Sequence, residues 1–488
     1  MPRSAVEVQY VTDFGPDCFS TDGEVLTCEV CGKPVNATKK YYVQQHINGS
    51  GHARRLEARQ SLIEERSLSL SLSQRESGFS FDLCRMMVES NIPLFKVQHS
   101  SFANFMQKYC KNEVPNHTTL RKTYLVKLYQ ETIEKIRSSI GQDRIWISID
   151  ETTDVKGQFV VNTVIGCLNA QRPSFPFLIN SEIVDRTNHT TVAQAFMNAL
   201  VILWPDGVHH DRVLLCVSDA ASYMKKAGEA LRVLFPKLIH VTCLAHGIHR
   251  LCEEIRGLFP RVDSLIANVK KVFLKAPARI HTFRSIAPNV ALPPEPVITR
   301  WGTWLTAALY YATHFEVVRE VVNQLDSSGA VAIAESQNIM RDSRLPSDLA
   351  FIATNFANFP VFIKMLEDTS QPLHDTVSLL RDIERCVGAI AGSRASPIKE
   401  KFQRILHSNP GLSIMCEIES SHQGGHISLT DFSIEELASF RYAPIVSVDV
   451  ERSFSTYKNL LSDRRHSLTV ENAKFHLITM CNNFGRDS

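Results

Sequence analysis

Two groups of residues in this sequence have the types and spacing to do chemistry, and both point to metal ions. The first is Cys28-Glu-Val-Cys31 followed by His46 and His52, with five residues between the histidines. Two thiolates on a tight turn and two imidazoles on a helix can close a tetrahedral zinc shell. The second begins in Ile145-Trp-Ile-Ser-Ile-Asp150, where isoleucines alternate along a short strand that is expected to stop at a carboxylate. A strand of the same design, Val213-Leu-Leu-Cys-Val-Ser-Asp219, also stops at an aspartate. One acid at a strand end is an ordinary cap or turn former. Two central strands bringing Asp150 and Asp219 to one sheet edge begin a site for two hard cations, Mg²⁺ or Mn²⁺, of the kind that clamps a phosphoryl group in transfer.

The elements that must position these groups follow from the patterning. Val25 and Leu26 fit a strand leading into Cys28, and Tyr41 to His46 fits a helix that Asn48-Gly-Ser-Gly51 interrupts before His52. Lys39, Lys40, Arg54, Arg55 and Arg59 surround the ligands; they can meet DNA phosphates or form a solvated helix face. Residues 61–78 are Ser/Leu-repetitive and read as a linker. Apolar residues at helical spacing then run through Phe81, Leu83, Met87, Phe102, Phe105, Tyr109, Leu120 and Leu128, predicting a helical DNA-binding, dimerisation or packing unit over 79–140. Beyond it, Phe159 to Leu168 and Phe175 to Val184 are apolar β runs, which together with the Asp150 strand predict three consecutive antiparallel strands. A helix is expected over Thr190 to Trp204, another over Ala221 to Phe235, and a strand over Leu238 to Cys243. That order, βββαβαβ with acids on its first and fourth strands, is an RNase H-like α/β arrangement. An all-α insertion over 291–435 would interrupt this core, which begins at 141–290 and resumes at 436–488.

Composition sets the class. Hydrophobic content of 44% with 21% charged residues is that of a globular protein with a sizeable core. A formal charge of +2 means that any nucleic-acid surface must be local. Twelve scattered cysteines, no N-terminal apolar segment and no apolar run of about 18 residues argue against secretion and membrane insertion. Reduced thiols in the cytosol or nucleus are expected.

The last block, Asp449-Val-Glu451-Arg-Ser-Phe454-Ser-Thr-Tyr457-Lys-Asn-Leu-Leu461-Ser-Asp-Arg464-Arg465-His-Ser-Leu468, resembles the C-terminal signature of hAT-superfamily DNA transposases. Cys243-Leu-Ala-His246 is similar to the Cys-x-x-His after the second aspartate of that family, and Arg300-Trp301 to an Arg-Trp pair at the start of its insertion domain. The resemblance covers about residues 140–480. It implies that Glu451 completes a catalytic Asp-Asp-Glu triad with Asp150 and Asp219, holding Mg²⁺ or Mn²⁺. It further implies that His246 stands by the scissile phosphate and that Arg300 and Trp301 handle the DNA end. Residues 8–125, through Tyr10-Val-Thr-Asp-Phe14, the finger and Asn91-Ile-Pro-Leu-Phe95, resemble CGG triplet repeat-binding proteins, themselves regarded as hAT-derived. Asp150-Glu-Thr-Thr departs from the family's Asp-x-Trp. The expectations are a nuclear, self-associating transposase acting on double-stranded terminal inverted repeats and target DNA, or a domesticated DNA-binding regulator. The alternative for Cys243, His246, Trp301 and Trp304 is a core position, and Phe454, Tyr457 and Leu461 are core or dimer interface.

Overall fold

The computed structural model describes residues 3–15, 18–23, 25–56, 78–173, 175–297, 302–425, 428–461 and 468–482. The 61–77 stretch, Arg59, Arg300, Trp301, Arg464 and Arg465 lie outside them. The chain divides into two compact units, residues 1–86 with 94–124 and residues 87–93 with 125–488.

The first unit contains a three-stranded antiparallel sheet, β1 (Phe19–Thr21), β2 (Leu26–Cys28) and β3 (Lys33–Val35), followed by the helix Lys40–Ile47. A helix that the spacing analysis did not anticipate, Arg3–Phe14, lies against β1. Tyr10 of this helix is buried with Phe19, Leu26 and Val43, and Phe14 packs at its edge. Val6, Tyr10 and Phe14 recur at four-residue intervals, and that stripe is the signal that could have revealed it.

The second unit is mixed α/β and mostly helical, built on a five-stranded sheet in the order β6-β5-β4-β7-β8. The strands are β4 (Arg144–Thr153), β5 (Phe159–Leu168), β6 (Phe177–Val184), β7 (Val213–Ser218) and β8 (Ile239–Thr242). β4, β5 and β6 are antiparallel, whereas β7 and β8 run parallel to β4. β5 and β7 are buried over nearly their whole length and β4 from Ile145 to Asp150, as continuous apolar runs covered on both faces require. One difference from the expected pattern matters for the site. β4 does not stop at Asp150 but continues to Thr153, pairing Asp150 with Asn162 and Thr153 with Phe159. The β-branched Thr152 and Thr153 suit a strand, and β5 is long enough to partner them.

Two expected boundaries shift. The helix Leu125–Ile140 belongs to the second unit, with Ile133, Ile136 and Ile140 in the core under the sheet, so the anticipated 79–140 unit is split. The helices between Leu244 and His422 share that core, and residues 291–435 form no separate compact unit. Pro260, Pro346, Pro360 and Pro410 sit in the first turn of helices, where the missing N–H costs nothing.

Both sheet edges are closed by asparagine side chains. Asn409 accepts from Thr242 N (2.9 Å) and donates to Thr242 O (2.6 Å) on β8. Asn482 accepts from Leu178 N (2.9 Å) and donates to Leu178 O (2.8 Å) on β6. Each amide occupies edge groups that would otherwise template another strand. The helix Pro410–His422 approaches β8 so closely that a Cβ on Gly411 would stand 2.0 Å from His240 O. Gly411→Ala should therefore destabilise the fold by about 1–3 kcal/mol. Gly388→Ala, in a helix with open space around the new methyl, should be neutral or stabilising. Equal urea midpoints for the two variants would contradict this packing.

Candidate functional site

The finger ligands converge as their spacing predicts. Cys28 closes β2, and Gly32, at φ +61°, turns the chain back into β3 with its N–H bonded to Cys28 O (2.7 Å). A left-handed residue is needed there, which suits glycine. His46 lies in the helix Lys40–Ile47, and His52 follows a turn at Asn48-Gly49 in the helical segment 50–56. The donor atoms of Cys28, Cys31, His46 and His52 all lie within 4.8 Å of one another. His52 Nδ1 is 3.4 Å from Cys28 Sγ and 3.5 Å from Cys31 Sγ. His46 Nε2 is buried without a hydrogen-bond partner, an orphan that a metal ligand would explain. Burial and the neighbouring His52 lower the His46 pKa, favouring the neutral, ligating imidazole. This donor set fits zinc.

The basic residues around the finger divide into two kinds. Lys40 bonds Asp13 (2.6 Å), and Arg55 donates to Cys31 O (2.8 Å), bracing the ligand turn. Lys39 is exposed, and among the described residues Arg54 donates to Ser50 O at 3.4 Å. Lys39 and Arg54 are therefore the better placed of the four to meet phosphates, while Lys40 and Arg55 have structural work.

The second group forms at the edge of the larger sheet. Parallel pairing of Ser148 with Val217 brings Asp219, the residue after the end of β7, to the level of Asp150 on β4. Asp219 Oδ1 accepts from Ala221 N (3.0 Å), fixing the turn into the helix Ser222–Leu234. Glu451 arrives on the first turn of the helix Val448–Leu460 and His246 on the first turn of Leu244–Leu258. The ligand atoms of Asp150, His246 and Glu451 lie within 4.8 Å of one another, and His246 Nε2 is 3.0 Å from Glu451 Oε1. Asp219 stands outside that tight group. Its charge still acts on it, as the pKa shifts of its neighbours show.

Tethers explain how Glu451 reaches the sheet. Leu244 N bonds Ile445 O (3.0 Å), and Ser447 N donates to Cys243 Sγ (3.2 Å), just before the Glu451 helix begins. Cys243 N is itself bonded to Ser218 O (2.7 Å), one residue before Asp219. Further along the helix, Asn162 of β5 donates to Ser453 Oγ (2.7 Å), and Tyr457 reaches Asp154 (3.5 Å). Phe454 and Tyr457 are buried in the unit's own core, which decides against an interface role for them; Leu461 is half-buried. Trp304 is also core, its Nε1 donating to Asp263 (2.9 Å).

Charge at this edge is poorly compensated within the protein. Burial, and then the charges of Asp219, Glu151 and Glu451 against that of His246, hold the Asp150 carboxyl well above the usual range. Burial followed by Asp219 pushes Glu151 up to about 7, and its Oε2 is buried without a hydrogen-bond partner. For His246, burial opposes the charged form, but the bonds and charges of Cys243 and Glu451 outweigh it and raise its pKa to about 11. An excess of carboxylates around one point is the setting a divalent cation fits. Glu151, which the spacing argument did not single out, adds its charge to those acting on Asp150.

Comparison with known proteins adds two likenesses. Residues 115–272 match the family described as Domain of unknown function (DUF659), which is transposase-related. That span includes β4 through β8, with Asp150, Asp219 and His246, but not Glu451. The chain is also similar to CGG triplet repeat-binding protein 1 of Mus musculus, at 29% identity over 26% of this chain and 83% of the relative. The Homo sapiens protein of the same name is 27% identical over the same shares.

The finger is directly testable. The purified chain should retain zinc through dialysis, and Cys28→Ser or His46→Ala should release it. Because ligand bonds supply on the order of 10 kcal/mol to such a fold, either variant should also lose hydrogen-exchange protection across the finger strands. Equal zinc content in wild type and both variants would contradict the assignment.

Proposed function

We propose that this chain is a hAT-type DNA transposase whose RNase H-like sheet carries a divalent-metal site made by Asp150, Asp219 and Glu451. The observation that carries the reading is the convergence of Asp150 and Glu451 with His246, beside Asp219 at the end of the neighbouring strand. The sheet order and the match to a transposase-related family over 115–272 support it.

The reaction is phosphoryl transfer on DNA. A transposon end is nicked by water, the freed 3′-hydroxyl attacks the opposite strand to leave a hairpin on the flanking DNA, and the excised 3′-hydroxyl is joined to a target. Bound Mg²⁺ or Mn²⁺ would supply charge neutralisation on the phosphoryl oxygens and a water of lowered pKa. The protein's own residues do the positioning. Asp150 is held within β4, Asp219 in the turn that follows β7, and the Cys243–Ser447 bond sets the height of the Glu451 helix. His246 orients the Glu451 carboxylate across their 3.0 Å contact. The finger, with zinc on Cys28, Cys31, His46 and His52, recognises duplex terminal repeats. Action on two ends of an element implies self-association and a nuclear location.

A second reading is favoured by the similarity to proteins named for binding CGG triplet repeats. In it the chain is a domesticated DNA-binding regulator that uses the finger and no longer cuts.

Nicking of a labelled duplex bearing the repeats that flank the coding sequence separates the two. Glu451→Gln should lower nicking by about 10³-fold or more, with end binding within about twofold of wild type and an unchanged melting curve. A well-folded Glu451→Gln protein that still cuts would remove Glu451 from the site. Tight end binding by wild type with no cutting in Mg²⁺ or Mn²⁺ would favour the regulator.

A further inference from the structure

A surface that neither metal site uses lies in the segment 94–124 of the first unit. Its centre is the helix Ser100–Cys110, in which no residue is buried. A helix of a globular protein ordinarily gives one face to a core. This one leaves Phe105 58% and Tyr109 63% exposed, and Phe95, on the 3-10 turn Leu94–Gln98 before it, is 45% exposed. Phe105 and Tyr109 stand one turn apart with ring centroids at 5.0 Å, forming a continuous aromatic face. Exposed rings grouped in this way mark a contact surface.

Charge identifies the partner. Across 94–124, Lys96, Lys108, Lys111, Arg121 and Lys122 are opposed by a single acid, Glu113. The cations are interleaved with the rings: Lys96 Nζ is 5.3 Å from the centre of Phe95, and Lys108 Nζ 4.9 Å from that of Tyr109. A second copy of the chain docked face to face would set lysines against lysines, so the complementary occupant is polyanionic. The rings narrow it further. Duplex bases are already stacked and offer no free face, whereas an unpaired strand presents bases to aromatic side chains and phosphates to the lysines between them.

We propose that the helix face carrying Phe105 and Tyr109 binds single-stranded DNA, its bases stacking on these two rings and its phosphates meeting Lys108 and Lys111, with the exposed Phe95 and Lys96 of the preceding turn extending the surface. This surface goes beyond the catalytic reading and does not depend on it. It would serve an enzyme that exposes unpaired DNA at a cut end, and equally a regulator bound at melted DNA.

The test is fluorescence anisotropy on the full chain, in buffer without Mg²⁺ or Mn²⁺, with a short labelled oligonucleotide of mixed sequence and its duplex. The double variant Phe105→Ala with Tyr109→Ala should bind the single strand about tenfold or more weakly and the duplex within about twofold of wild type. Lys108→Gln with Lys111→Gln should flatten the salt dependence of single-strand binding by about 1.4 in log–log slope, at about 0.7 per phosphate contact. Melting curves of both variants should match wild type, since the changed side chains are exposed. Unchanged single-strand affinity in the aromatic variant overturns the proposal. If light scattering then shows a wild-type dimer that the variant converts to monomer, the occupant is a second copy. Equal losses on single strand and duplex also overturn it, because stacking on unpaired bases would not be the basis of binding.

Discussion

The larger unit depends on one joint, the seam where the segment before the Glu451 helix is bonded to the end of β8. Leu244 N to Ile445 O and Ser447 N to Cys243 Sγ close it, and Cys243 N to Ser218 O ties it to β7. The carboxylates come from distant parts of the chain, so no local preference of the backbone can bring them together. The joint does so with main-chain groups that must find partners once buried. A sulfur acceptor suits the place: Cys243 is buried, too small to crowd the helix, and can face both Ser447 and His246. Asn162–Ser453 and Tyr457–Asp154 then fix the rotation of the helix, which sets where Glu451 points.

What the joint assembles is electrostatically costly without a cation. Asp150 and Glu151 both hold their protons more tightly than free carboxyls do, because of burial and then of one another's neighbours. The folded, metal-free protein therefore binds more protons than the unfolded chain between the ordinary carboxylate range and about pH 7, and these groups make stability fall as pH rises through that window. His246, raised to about 11, has the same sign above its ordinary value, its contribution being lost as pH climbs towards 11. A divalent cation bound at the proposed site would compete with those protons.

Legibility in the sequence followed the range of the forces involved. The finger was readable because its four ligands fall within one short stretch, and zinc chemistry restricts both their types and their spacing. The strands around Ile145 and Val213 were readable from alternation and apolar runs. Asp150 and Asp219 were recognised as neighbours because parallel strands of the same design end alike. Glu451 was not derivable from spacing at all; only its resemblance to a family signature placed it with the aspartates. Glu151 is not legible because the spacing ends the strand at Asp150, whereas β4 runs on to Thr153 and holds Glu151 in register with Val161. The division at Tyr124 was missed for a related reason. Helical periodicity in Leu120, Tyr124 and Leu128 reads the same on both sides of it, and only the identity of the packing partners tells the units apart.

The central claim is that Asp150, Asp219, His246 and Glu451 surround one divalent-cation site. Iron-directed backbone cleavage tests it most directly. Fe²⁺ with ascorbate and peroxide cuts peptide bonds close to bound iron, and mass spectrometry of the resulting fragments locates the cuts. The account predicts cuts clustered near residues 150, 219, 246 and 451, suppressed by excess Mn²⁺ and lost in Asp150→Asn. Cuts confined to the finger, or spread along the chain and indifferent to Mn²⁺, would contradict it.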